Sequence, residues 1–402
     1  MRILIVGINY APELTGVGKY TSELAIWLAR RGHQVRVVTA PPSYPNWAIE
    51  PGYSALRYSK STEEGVTVWR CPLWVPKRPS GFKRLIHLGS FALLSTPIVL
   101  AQIAWRPQVV INLEPPLFCA PIAWLTARLS GAKAWLHIQD FELDAAFELG
   151  LLKGNWLRKA ALMLERLIMS GFDRVSTISF NMRELLISKG VGESKTYFLP
   201  NWVDLQHFDQ QTSKTNFRKK LGIPLGAIVA LYSGNMGAKQ GLEILAEVAK
   251  QCAHSIVFVF CGAGVAKRDL IERCSDLKHV HFLDLQPAEV LSELLLFADI
   301  HLLPQRQEVT DLVMPSKLTG MLASSRPVVA SADPDSQLGK VVGHCGLLVS
   351  SGNSTAFSSA LQTLASEPLL RIRLGAAGRA YAEQFLAQEK ILTDFEKEIF
   401  RA

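Results

Sequence analysis

Short apolar runs alternate along the chain with stretches in which apolar residues recur every three or four positions, the pattern of parallel strands covered by helices. In the first half, Arg2–Gly7, Val35–Ala40, Val66–Cys71, Val109–Leu113, Ala134–Ile138 and Arg174–Ile178 predict strands. Helices are predicted between them, among others over Tyr20–Arg31 and Trp156–Ser170. The alternation breaks at Leu199-Pro-Asn-Trp-Val-Asp204 and through the polar run Asp209–Lys220. It restarts with Ala227–Tyr232, Ser255–Cys261, Val280–Leu283, Ile300–Leu303 and Pro327–Ala330. The expected architecture is α/β, with two Rossmann-like doubly wound domains over 1–200 and 201–386. A terminal helix over 387–402 repeats Ile391, Phe395 and Ile399 every fourth residue and needs an apolar partner, expected on the first domain.

One segment departs from this alternation. Leu85–Trp105 is almost continuously apolar, no Asp or Glu occurs from Gly65 to Leu113, and Arg70, Lys77, Arg78, Lys83, Arg84 and Arg106 fall in that interval. Its length approaches the roughly 20 residues of a membrane span. Pro97 interrupts it, however, and a span would separate Val109–Leu113 from Arg2–Gly7, which belong in one sheet. Three readings of a helix over 82–105 stay open: an ordinary buried helix, one pressed shallowly into an anionic inner leaflet through Lys77, Arg78, Lys83 and Arg84, or, least favoured, a true span.

A hydrophobic fraction of 49% over 402 residues excludes a disordered chain, and a net charge of +8 favours anionic partners without choosing among nucleic acid, lipid and phosphate. The basic residues gather around an apolar helix and not on an aromatic-studded groove, which argues against a nucleic-acid binder. Six scattered cysteines without a C-x-x-C pair read as buried thiols in a reducing compartment. The apolar run at the amino terminus is too short for a signal peptide, so a cytoplasmic protein is expected.

Candidate chemistry sits in two glycine-bearing loops. The first strand leads into Tyr10-Ala-Pro-Glu-Leu-Thr-Gly-Val-Gly-Lys-Tyr20, where Gly16 and Gly18 let backbone approach a ligand at a helix amino terminus. The second domain opens alike, with Ser233-Gly-Asn-Met-Gly-Ala-Lys-Gln-Gly241 and a cation at Lys239. Either loop alone reads equally well as a structural turn. Cys261-Gly-Ala-Gly264 has Lys267 where a nicotinamide fingerprint needs its third glycine. The D-x-D at Asp333-Pro-Asp335 reads as a turn with a helix cap, so no metal is expected.

These loops, with Leu199-Pro-Asn-Trp-Val-Asp204, Tyr232-Ser-Gly-Asn-Met-Gly237, and Met314-Pro-Ser-Lys-Leu318 ahead of Arg326-Pro-Val-Val-Ala330, resemble the family-four retaining glycosyltransferases of the GT-B fold. Val38-Thr-Ala-Pro-Pro-Ser-Tyr-Pro45, Val68-Trp-Arg-Cys-Pro72, Lys83-Arg-Leu-Ile-His-Leu-Gly-Ser-Phe91 and Leu136-His-Ile-Gln-Asp140 are similar to the colanic acid biosynthesis type within that family. The resemblance implies two facing domains with the donor in a cleft between them. The nucleotide would lie mainly on the second domain, and Asn235, Gly237, Lys239, Ser316 and Lys317 would meet the donor together with Gly16 and Gly18. Glu308 falls where the family often has the first acid of an E-x7-E motif, Gly320 replaces the second, and Asp311 is an alternative polar group. Gln139 occupies the slot in which many relatives carry a histidine, with His137 on the same strand face. Asp140, at the carboxyl end of its strand, is the expected residue for orienting the acceptor hydroxyl.

By the same resemblance, the reaction is metal-free transfer with retention, in which the departing phosphate takes the acceptor's proton. It needs no cofactor beyond the nucleotide-sugar substrate. The implied donor is GDP-fucose, with UDP-N-acetylglucosamine and GDP-mannose as alternatives, and the implied acceptor is a saccharide on polyprenyl diphosphate at the inner leaflet.

Overall fold

The computed structural model describes residues 1–13, 16–78, 80–144, 155–209, 215–237, 240–253, 255–306 and 315–401. They form two compact units, Met1–Pro200 with Leu392–Ala402, and Asn201–Ile391.

The first unit is built on β1 (Arg2–Val6), β2 (Gln34–Thr39), β3 (Ser59–Glu63), β4 (Val66–Arg70), β5 (Val109–Glu114), β6 (Lys133–Ile138), β7 (Arg174–Thr177) and β8 (Thr196–Phe198). They lie in the order β3-β4-β2-β1-β5-β6-β7-β8, parallel except for the β3–β4 hairpin. Ile3 to Val6 are wholly buried, which is why β1 is apolar after Arg2 and takes the sheet centre. The chain leaves β1 in one direction, to β2, and returns on the other side, to β5. Loops after β1 and β5 therefore open at the switch point where ligands of such sheets collect.

Four helices of this unit matter here: α1 (Gly16–Arg30), α2 (Gly81–Ala101), α3 (Ala120–Ser130) and α4 (Asn155–Gly171). A helix is expected over 82–105, and α2 covers most of it, running through Pro97. Pro97 lies on the exposed side of the helix, as does Leu93, the residue whose carbonyl a proline four positions on leaves without its amide. Only one face of α2 is covered, through His87, Phe91, Ala92, Ser95 and Val99. The helix is neither fully buried nor fully bare.

The second unit carries β9 (Ile228–Ser233), β10 (Ile256–Cys261), β11 (Val280–Leu283), β12 (Ile300–Leu303), β13 (Val328–Ser331) and β14 (Gly346–Val349), all parallel, in the order β11-β10-β9-β12-β13-β14. Its switch point lies between β9 and β12. Helix α5 (Glu243–Gln251) follows β9, and the short α6 (Lys317–Ala323) precedes β13. Asp333-Pro-Asp335 makes the expected turn, with Asp333 Oδ1 accepting from the Asp335 amide at 2.8 Å. The helix cap belongs instead to Ser336, whose Oγ accepts from Gly339 N at 3.0 Å.

The last helix, α7 (Gln388–Arg401), finds its apolar partner in the first unit, where Phe395 packs edge-on against Trp135 with ring centroids 4.9 Å apart. Glu396 accepts from His33 at 2.7 Å and Arg31 at 3.1 Å, and Glu398 from Arg174 at 3.0 Å. None of the six cysteines joins a disulfide, and all are buried.

Candidate active site

In the first unit, the loop after β1 is shaped by an acid that sequence reading passed over. Glu13 is buried and accepts from Asn9 Nδ2 at 2.7 Å and from the amides of Ser43 and Tyr44 at 3.0 Å each. A Cβ on Gly18 would stand 2.9 Å from the Glu13 Cβ, so that glycine is required by packing. Gly16 is different: its φ of +62° is left-handed and nothing stands within 4 Å of a Cβ there. Arg70, also buried, donates to the Ala11 carbonyl at 2.9 Å and pairs with Glu63, clamping the same loop from β4.

The carboxyl ends of β5 and β6 hold a cluster of acids. His137 is buried, with one ring nitrogen 2.9 Å from Ser176 Oγ and the other 3.0 Å from Gln139 Nε2. Burial pushes its pKa down to about 3, so the ring is neutral and both nitrogens are engaged. Asp140 follows at a half-buried bend. Glu142 accepts from Leu117 N at 2.6 Å, and burial raises its carboxyl to about 7. Asp144 pairs with Lys189 at 2.6 Å, and Lys189 also binds the buried Glu165. Glu114 was not foreseen: it is wholly buried, and neither carboxyl oxygen has a hydrogen-bond partner among the described residues. Burial first, then the carboxyls of Glu142, Glu165 and Asp140, hold its pKa well above the usual carboxylate range.

The second unit brings together residues from three distant stretches at its switch point. Lys317 Nζ donates to Tyr232 Oη at 3.0 Å and to Gln240 Oε1 at 2.7 Å, and lies 4.3 Å from the Tyr232 ring centroid. Tyr232 Oη in turn donates to the Asn235 carbonyl at 2.5 Å, fixing the loop that carries Asn235 and Gly237. A Cβ on Gly234 would lie 3.6 Å from the Lys317 stem, and one on Gly237 would lie 3.3 Å from the Asn235 amide. Ser316 is the residue before α6. The loop is locked from the β10 side by Gly234 N to Cys261 O at 3.0 Å and Met236 N to Ala263 O at 2.8 Å. Gly262 and Gly264 therefore serve backbone contact between two loops, the role left open by the missing third glycine. Lys267 binds the Leu283 carbonyl at 3.1 Å and Asp284 at 2.6 Å.

A Cβ on Gly320 would stand 2.8 Å from Leu295 Cδ1, the end of a buried side chain, and meets no backbone outside its own helix within 4 Å. Lys239, Glu308 and Asp311 lie outside the described residues. Lys77, Arg78, Lys83 and Arg84 are all exposed ahead of and within the first turn of α2. Among the described residues, no three His, Cys, Asp or Glu side chains converge as a metal-binding group.

Burial holds the Lys317 amine at about 7, well below an ordinary lysine. An anion placed beside it would restore the proton. Nucleoside diphosphate binding should then take up a proton above pH 7, and affinity should fall with rising pH by up to about tenfold per unit. Isothermal titration of GDP across about pH 6 to 9 reads this slope. In Lys317→Met the slope should vanish above pH 7 and affinity should drop about tenfold at pH 7; an unchanged slope would remove Lys317 from the phosphate site.

A glycosyl transferase 4-like domain matches residues 15–202, and glycosyl transferases group 1 matches residues 227–367. The colanic acid biosynthesis glycosyl transferase WcaI of Escherichia coli (strain K12) is 42% identical over 99% of this chain and 100% of its own length. The D-inositol 3-phosphate glycosyltransferase of Xylanimonas cellulosilytica is 21% identical over 96% of this chain and 93% of its own. Among solved structures, sucrose-phosphate synthase of Thermosynechococcus elongatus superposes with a TM-score of 0.78 at 16% identity, covering 100% of this chain and 98% of that one. Anabaena HepE in complex with UDP and glucose superposes with a TM-score of 0.72 at 15% identity, each chain covered fully. The chain has the GT-B fold and belongs to the family-four glycosyltransferases.

Proposed function

We propose that this glycosyltransferase moves fucose from GDP-fucose, with retention and without a metal ion, to a saccharide carried on polyprenyl diphosphate during exopolysaccharide assembly. The observation that carries a nucleotide-diphosphate donor is the Lys317–Tyr232–Gln240 constellation at the β9/β12 switch point, beside a glycine-bearing loop. Lys317 and Lys239 neutralise the leaving diphosphate, with backbone N–H groups of the Asn235–Gly237 loop. The phosphate oxygen that leaves the sugar takes the proton of the incoming hydroxyl as the new glycosidic bond forms on the same face. Asp140 orients that hydroxyl, and His137 acts through Gln139, which it holds. Glu308 and Asp311 are assigned to the sugar and its surroundings.

The acceptor's lipid keeps the reaction at the cytoplasmic face of the plasma membrane, where Lys77, Arg78, Lys83 and Arg84 meet anionic headgroups and the protein stays peripheral. The 42% identity to WcaI supports the polysaccharide assignment.

A thermal-shift panel of GDP, UDP, ADP and their sugars, run in EDTA, tests the reading. A ligand at 100 times its dissociation constant stabilises by about 2.7 kcal/mol. GDP and GDP-fucose should give the largest shifts. A response confined to UDP compounds would replace the donor, and no response to any nucleotide would remove the proposed site.

A further inference from the structure

Helix α4 is inverted. Trp156, Met163, Leu164 and Leu167 are 80%, 76%, 57% and 69% exposed, whereas the one acid of the helix, Glu165, is 1% exposed. Glu165 turns inward to an ion pair with Lys189, and Met169 follows one turn later on the same inner side. With Ala160, the exposed apolar residues recur at the spacing of a single helical stripe, opposite the buried side. A helix of a water-facing domain places these residue types the other way round.

The stripe does not stand alone. Trp124 Nε1 of α3 donates to the Gly171 carbonyl at 2.8 Å, tying α3 to the end of α4, and α2 packs beside α3. Leu125 and Leu129 of α3 and Phe82 and Leu93 of α2 are exposed as well. Across α2 and α4 the cations are Lys83, Arg84, Arg158, Lys159 and Arg166, all exposed, against the single buried acid. An exposed apolar surface whose helices α2 and α4 expose cations and, among their described residues, no acid suits anionic lipid: the side chains enter the acyl boundary and the cations stay at the headgroups. A second copy of this chain would set like charges against each other.

We propose that the outer face of α4, with α3 beside it, inserts into an anionic bilayer surface, with Trp156, Met163, Leu164 and Leu167 as the inserting side chains. This rests on the peripheral membrane location proposed above, and adds apolar insertion by α4 to the headgroup attraction assigned to α2.

Flotation with phosphatidylglycerol and phosphatidylcholine vesicles mixed at about 3:7 tests both ideas separately. The wild-type chain should partition to these vesicles. M163S/L164S/L167S should bind at least about tenfold less, with an unchanged melting midpoint because the replaced side chains are already exposed. In the wild-type chain, lipids brominated near the headgroup should quench fluorescence, and Trp156→Phe should lose that fraction. If the serine variant fails to fold, the quenching difference decides alone. Full binding by the serine variant, or no quenching at Trp156, overturns insertion by α4. If K83E/R84E alone abolishes binding in that case, the α2 contact stands. Binding lost in the serine variant but kept in K83E/R84E supports α4 and refutes the α2 contact. A wild-type chain that ignores vesicles overturns both. So does a dimer that the serine variant converts to monomer without vesicle binding in either form.

Discussion

Alanine in place of Lys239 is expected to lower turnover roughly 10²–10³-fold, equivalent to about 3–4 kcal/mol of transition-state stabilisation, while the melting midpoint stays that of the wild-type chain. The reasoning starts from the leaving group. A nucleoside diphosphate departing without a metal ion develops negative charge that protein groups must meet. The cation seen beside the loop, Lys317, is held at about 7 by burial and so is neutral in a large fraction of molecules before the anion arrives. Lys239 stands between Gly237 and Gln240 in the sequence, and Gln240 accepts from Lys317. In the mechanism proposed above, Lys239 is the residue assigned to supply the second positive charge. Single-turnover rates with saturating donor check the prediction: Lys239→Arg should recover part of the rate and Lys239→Gln little. Near-wild-type turnover in Lys239→Ala would take that residue out of the chemistry.

How much of this was legible in the sequence depends on where each residue's reason for being there lies. β1, β5, β9 and β10 are buried along almost their whole length, so their apolar runs announced them. β3 could not be read that way. Ser59–Glu63 is an exposed polar edge strand, held by its pairing with β4 across a turn whose Glu64 and Gly65 both take positive φ. The helix expected over 82–105 contains Pro97, and α2 continues through it.

The site divides similarly. Glycine-bearing loops after the first strand of each unit follow from strand-turn-helix pattern, whereas Lys317 as a donor contact is an expectation from the family resemblance alone. Its partners follow from neither. Tyr232 and Gln240 are 85 and 77 positions away in sequence, and only the parallel order of β9 and β12 brings them to it. Gly18 was read as ligand-facing, but the atom that demands a glycine there is the Glu13 Cβ. Glu114 carried no signal, because a single carboxylate at a strand end looks like any exposed acid until the burial of the strand is known.

Gly262→Ala is the substitution expected to cost most in the fold and the site together. An added Cβ would stand 1.9 Å from the Gly234 carbonyl oxygen, a backbone atom that cannot rotate away. One of the two loops must move, which strains or breaks the bonds from Gly234 N to Cys261 O and from Met236 N to Ala263 O. Overpacking of about 1–3 kcal/mol, with weakened backbone hydrogen bonds of about 1 kcal/mol each, gives a total of roughly 2–4 kcal/mol. For a unit of this size that lowers the melting midpoint by about 5–10 °C. The displacement also carries Asn235 and Gly237 away from the position that Tyr232 fixes, so nucleotide affinity should fall by at least about tenfold. Gly226→Ala is the matched control: nothing lies within 4 Å of its Cβ, and its change should stay within about 0.5 kcal/mol. Differential scanning calorimetry and GDP titration of the two variants separate the cases. If Gly262→Ala melts and binds like Gly226→Ala, the contact between the two loops does not set the geometry of the phosphate site, and the Asn235–Gly237 loop must be held by Tyr232 and Lys317 alone.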